Sequence, residues 1–143
     1  MKSKGFLFPA LLLSTACHAN FMFQSFTPNV CDNLAGNWAG SGKASNWIIG
    51  TCSYHGTGTI SAVDSNGRFS VKVSADKDSG NLLCPAHAAK QLTGTCLNGI
   101  ITIITEYGDL AGNFSENNGQ AKGTLTVAPG IKADVLVNFQ RVK

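Results

Sequence analysis

From Gly36 to Lys143 the chain is interrupted about every ten residues by clusters of Gly, Asn and Asp, with Thr, Val and Ile between them and little Pro. That punctuation belongs to antiparallel β structure. In residues 68–75 (RFSVKVSA), Phe69, Val71, Val73 and Ala75 alternate with Arg68, Ser70, Lys72 and Ser74, the pattern of a strand with one wet face. Asp64-Ser65-Asn66-Gly67 joins this strand to residues 57–63, and Asn98-Gly99 is a strong two-residue hairpin signal between residues 91–97 and 100–107. Asn117-Asn118-Gly119 and Pro129-Gly130 turn residues 110–115 into 120–127 and then into 132–142. With strands over residues 36–42 and 46–54 in front, about eight or nine strands follow one another through short turns.

A meander of that size removes its exposed edges by closing, so the expected fold is all-β, an antiparallel up-and-down β-barrel of about eight strands. Residues 84–90 (CPAHAAK) break the pattern. Their Ala content and early Pro predict one short helical turn near residues 85–90, capping an end of the barrel.

The first nineteen residues read as an export signal. Lys2 and Lys4 start it, residues 6–13 form an apolar core too short to span a bilayer, and Cys17-His18-Ala19 is a small-x-small cleavage site before Asn20. An alternative use of the segment is lipid anchoring through Cys17, for which Leu13 stands one place too early. Removing residues 1–19 leaves 9 basic side chains against 8 acidic ones, so the net charge falls from +3 to +1. No electrostatic footprint for nucleic acid or an anionic membrane remains. Residues 20–35, with Phe21, Phe23 and Phe26, are expected as an N-terminal leader or tail, and residues 36–143 as the barrel.

Four cysteines follow the signal segment, as suits an oxidising compartment. Three pairings are open, and the expected one joins Cys84 to Cys96 and Cys31 to Cys52.

Leu34-Ala35-Gly36-Asn37-Trp38 at the first barrel strand and Phe139-Gln140-Arg141 in the last resemble the signature of the calycin superfamily, the lipocalins, avidins and their relatives. The resemblance implies that the Trp38 indole covers one end of the barrel and that Arg141 stacks on it, tying last strand to first. Asn37-Trp38 and residues 45–50 (SNWIIG) are also superficially similar to the avidin opening. The avidin biotin ligands would fall on Gly40 and Ala44, which cannot serve, so biotin is not implied. The Leu-Ala-Gly-x-Trp stretch is also similar to that of small secreted inhibitors of bacterial metalloproteases, which act through an N-terminal tail.

Catalytic and metal-binding motifs are incomplete in this chain. Residues 36–43 lack the Gly and Ser/Thr of a phosphate loop, and residues 76–80 begin like a calcium loop whose closing acid would fall near His87. His55 and His87 lie in no metal-binding spacing, no Gly-x-Ser-x-Gly elbow exists, and Glu106 and Asp109 straddle a turn. Asn113-Phe114-Ser115 fits the N-glycosylation pattern. No catalytic residue, cofactor or metal ligand is therefore expected.

The expected function is a non-catalytic binding protein that grips a protein partner through its loops or its N-terminal tail. The alternative is a carrier of a small apolar ligand, lined by Trp47, Tyr54, Phe69, Val71, Ile101, Leu125, Val135 and Phe139.

Overall fold

The computed structural model describes residues 19–143, and the segment expected as a signal, all but its last residue Ala19, lies outside them together with the alternative lipid site Cys17. Nine strands form a closed barrel: β1 (Ala19–Gln24), β2 (Gly36–Asn46), β3 (Gly50–Ile60), β4 (Arg68–Ser79), β5 (His87–Leu97), β6 (Ile100–Thr105), β7 (Gly108–Phe114), β8 (Asn118–Ala128) and β9 (Ile131–Arg141). From β2 to β6 and from β7 to β9 it is a meander, and β2 pairs with β9.

The remaining gap, between β6 and β7, is filled by β1, antiparallel to β6 and parallel to β7. The expected leader is therefore divided. Ala19–Gln24 is a stave of the wall, while the chain from Ser25 to Ala35 returns to β2 and includes a 3-10 turn (Val30–Asn33). Alternation explains the promotion, since Phe21 and Phe23 pack in the core while Met22 is exposed. An aromatic pair at period two is paid by burial only if a sheet flanks it on both sides.

One end of the barrel, called here the lid end, collects the start of β2, the end of β9 and the 3-10 turn. Val30 and Leu34 are buried there beside Trp38, and the Cys31–Cys96 disulfide ties the turn to β5 with Cα atoms 5.6 Å apart. Phe69, Val71, Ile101, Ile103, Leu110 and Phe114 continue the same core. Each such side chain contributes roughly 1.5–3 kcal/mol by leaving water. Small residues let the walls approach this filling: a Cβ at Gly94 would stand 2.7 Å from Ile103 Cγ1 and 3.0 Å from Phe69 Cζ.

At the other end, the tip end, Ala44, Ile49, Cys52, Cys84 and Ala133 form a second buried cluster, flanked by Tyr54, Val127, Ile131 and Val135. The second disulfide is Cys52–Cys84, with Cα atoms 6.4 Å apart. Both expected pairings are thus corrected. Cys31 is carried to the lid end by the 3-10 turn, where Cys96 stands one residue before the end of β5, whereas Cys52 and Cys84 sit together at the tip.

The helical turn expected near residues 85–90 is also corrected, because His87–Leu97 is a strand. His87, Ala88, Ala89 and Lys90 pair with Asp76, Ala75, Ser74 and Val73 of β4, and that ladder outweighs the weak helical preference of two alanines. β6 pairs with β5 only from Gly94 to Leu97, so His87, Ala88, Ala89, Lys90 and Gln91 are exposed on both faces of the strand.

Candidate functional site

At the lid end, Trp38 and Arg141 are direct cross-strand partners, and the guanidinium carbon lies 4.6 Å from the indole ring centre. The indole N–H donates to the Leu34 carbonyl at 3.2 Å. The guanidinium donates to Glu116 O and Ala35 O at 2.8 Å each, and to Asn33 O. Phe139 meets Trp38 edge-on at 5.8 Å and Phe23 at 5.7 Å. With every arm of the fork engaged by backbone carbonyls, this end is built as a closure.

The expected ligand-lining residues do not share one space. Phe69, Val71 and Ile101 are buried in the lid-end core, against which Phe139 and Leu125 pack. Val135 touches both clusters, while Tyr54 packs at the tip end and donates its hydroxyl to Pro85 O at 2.9 Å. Burial raises the Tyr54 phenol above its ordinary pKa, because the phenolate loses hydration. Trp47 is a correction. It lies in the β2–β3 turn, 92% exposed, and lines no interior. Residues 46–54 were expected as one strand, but the turn falls at residues 47–49.

That turn and the β4–β5 loop carry four exposed large apolar side chains, Trp47, Ile48, Leu82 and Leu83. Asn46 Oδ1 accepts the backbone N–H groups of Ile48 and Ile49 at 2.8 and 2.7 Å, and its amide donates to Lys132 O at 2.7 Å. Ile49 turns inward and is buried; Trp47 and Ile48 are left outside. The β4–β5 loop repeats the device: Asn81 Oδ1 accepts the Leu83 N–H at 2.6 Å. The Lys77 ammonium binds Asn81 O at 2.9 Å and Cys84 O at 3.1 Å, and Cys84 is bonded to Cys52. Leu82, 98% exposed, and Leu83 project from this fixed loop. Ile49 and Cys84 belong to one buried cluster, so the two loops rest on a common base. Sequence reasoning missed Ile48, Leu82 and Leu83, although an apolar pair directly after Gly80-Asn81 was an available signal.

On the outer face of β3, β4 and β5, His55 stands across from Asp76, and Asp76 across from His87. The side chains pair off as His55 with Asp78 at 2.5 Å and His87 with Asp76 at 2.7 Å, all at least half exposed. Among the described residues no three His, Cys, Asp or Glu close on one point that could hold a metal. Nor is any described helix long and apolar enough to cross a membrane. Comparison with known proteins found no family model, no curated relative and no solved structure that matches the chain.

Proposed function

We propose that the chain is an exported, non-catalytic binding barrel that holds a protein partner against its tip end through Trp47, Ile48, Leu82 and Leu83. The observation that carries the proposal is the contrast between exposure and fixation. Trp47 and Leu82 are almost wholly solvated, yet their loops are pinned by Asn46, Asn81, Lys77 and the Cys52–Cys84 bridge. A rigid loop presenting apolar side chains loses little conformational entropy on association, and Trp is the residue most enriched at the energetic centre of interfaces. Residues 20–24 of the expected tail form part of β1 in the wall, which favours the loops over the tail as the gripping element. Two disulfides among the described residues are compatible with an oxidising compartment.

The test places a photo-crosslinking amino acid at Trp47, and separately at the exposed outward-facing Lys122 of β8, in protein exported by its own host. Adducts of a defined mass from position 47, absent from position 122 and abolished by Leu82→Asp, are expected. The same adducts from both positions, or none from position 47, overturn the proposal.

The carrier alternative has one observation in its favour. Val73 shares the inward parity of Phe69 and Val71 but is 38% exposed, where β5 parts from β6. A ligand entering there would appear as added mass in native mass spectrometry, and would be lost on Val73→Trp. An unliganded mass removes this alternative.

A further inference from the structure

β1 begins at an unusual place. It lies between β6 and β7, which are joined only by Glu106 and Tyr107, so this two-residue link passes the N-terminal end of β1. The link is fastened by a 2.7 Å hydrogen bond from the Thr126 N–H to Tyr107 O. At the same point the backbone N–H of Asn20 donates to Asp109 Oδ1 of β7 at 2.9 Å, and Asn20 Oδ1 is buried without a hydrogen-bond partner. The amide nitrogen thus has one proton, spent on a carboxylate, while an acceptor in its own residue goes without.

We propose that proteolytic processing between Ala19 and Asn20 creates a clamp, in which the new α-ammonium of Asn20 pairs with the Asp109 carboxylate and locks β1 into the closed barrel. The inference rests on the export reading, which supplies a signal peptidase and the cleavage position. Hydrolysis of the Ala19–Asn20 amide consumes one water. The C–N bond breaks, Ala19 keeps a carboxylate, and the Asn20 nitrogen departs as an amine that takes up a proton at neutral pH. A neutral donor becomes a charged one at the position that already faces Asp109. Two further protons become available on the same nitrogen for Asn20 Oδ1. Cleavage therefore strengthens the hold of the strand it leaves behind.

Intact mass measurement of the protein made by its own host should give a chain starting at Asn20; an unprocessed chain overturns the export reading and the clamp with it, whereas a start elsewhere, or a lipidated Cys17, overturns the cleavage position and the clamp and leaves export standing. The clamp is then tested by itself. Oxidised mature chains starting at Asn20, or with one Gly placed ahead of Asn20, are each compared with their Asp109→Asn forms by urea unfolding. The substitution should lower the folding equilibrium constant about three- to fivefold for the Asn20 start, in keeping with a solvent-accessible ion pair. For the Gly-extended chain, whose amine is displaced by a residue, the loss should be less than twofold. Equal losses in the two chains overturn the clamp and leave the export reading standing.

Discussion

Replacing Arg141 should open the lid end without touching the hydrophobic filling. In Arg141→Ala the indole of Trp38 loses its stacked cation, worth about 1 kcal/mol, and the Asn33, Ala35 and Glu116 carbonyls lose their donor. Two of these three hydrogen bonds are exposed, so water replaces part of each, at about 1 kcal/mol per bond. The contacts share one side chain and do not add in full, which brings the expected loss to about 3 kcal/mol. Arg141→Lys keeps the charge but has no fork to span three carbonyls, and should lose about half as much. Urea unfolding followed by fluorescence reads both, with Trp47→Phe as background so that Trp38 alone emits. The midpoint should fall while the urea dependence stays the same. A loss below about 1 kcal/mol for Arg141→Ala, or a Lys variant equal to the parent, would refute the idea that the guanidinium ties β9 to the lid.

Further outcomes follow from the same geometry. Peptide mapping under non-reducing conditions should give Cys31–Cys96 and Cys52–Cys84; in the loop-entropy picture removing either costs about 4 kcal/mol, slightly more for the first because it closes 65 residues against 32. Asp64 accepts the N–H groups of Arg68 and Asn66, which lower its carboxyl pKa, so this carboxylate stabilises the fold above the unfolded value of about 3.9 and the contribution is lost as pH falls through the lower folded value. A carbon-detected NMR titration of Asp64 with its midpoint at or above that ordinary value would contradict this. Gly123→Ala drives a Cβ into the Asp109 carbonyl oxygen and should cost about 2 kcal/mol or more, whereas Gly130→Ala meets only open space and a φ of +75°, at about 1 kcal/mol; thermal unfolding of the two variants compares them.

The barrel was legible because its signals are local. Asn98 and Gly99 have φ of 53° and 79°, the left-handed pair that a two-residue hairpin requires, and period-two alternation identified β4 directly. What was illegible depends on which strands become neighbours. Nothing local says that Phe21 and Phe23 will be flanked by β6 and β7, or that Cys31 will meet Cys96 at the lid end. Residues 84–90 misled because Ala propensity is a weak preference beside a ladder supplied by β4. Trp47 misled for a related reason: a turn three residues long, fixed by the Asn46 side chain, moved it from a wall to a tip.

The position of β1 also sets an order of events. The first stave to be synthesised touches only strands made near the end, so Phe21 waits for Ile103 and Leu110 to arrive before it has a neighbour. Such distant pairing is slow to form, and until it does an aromatic ribbon and two open strand edges face the surroundings. Until β6 and β7 are in place, residues 19–24 are therefore the segment most open to pairing with another chain.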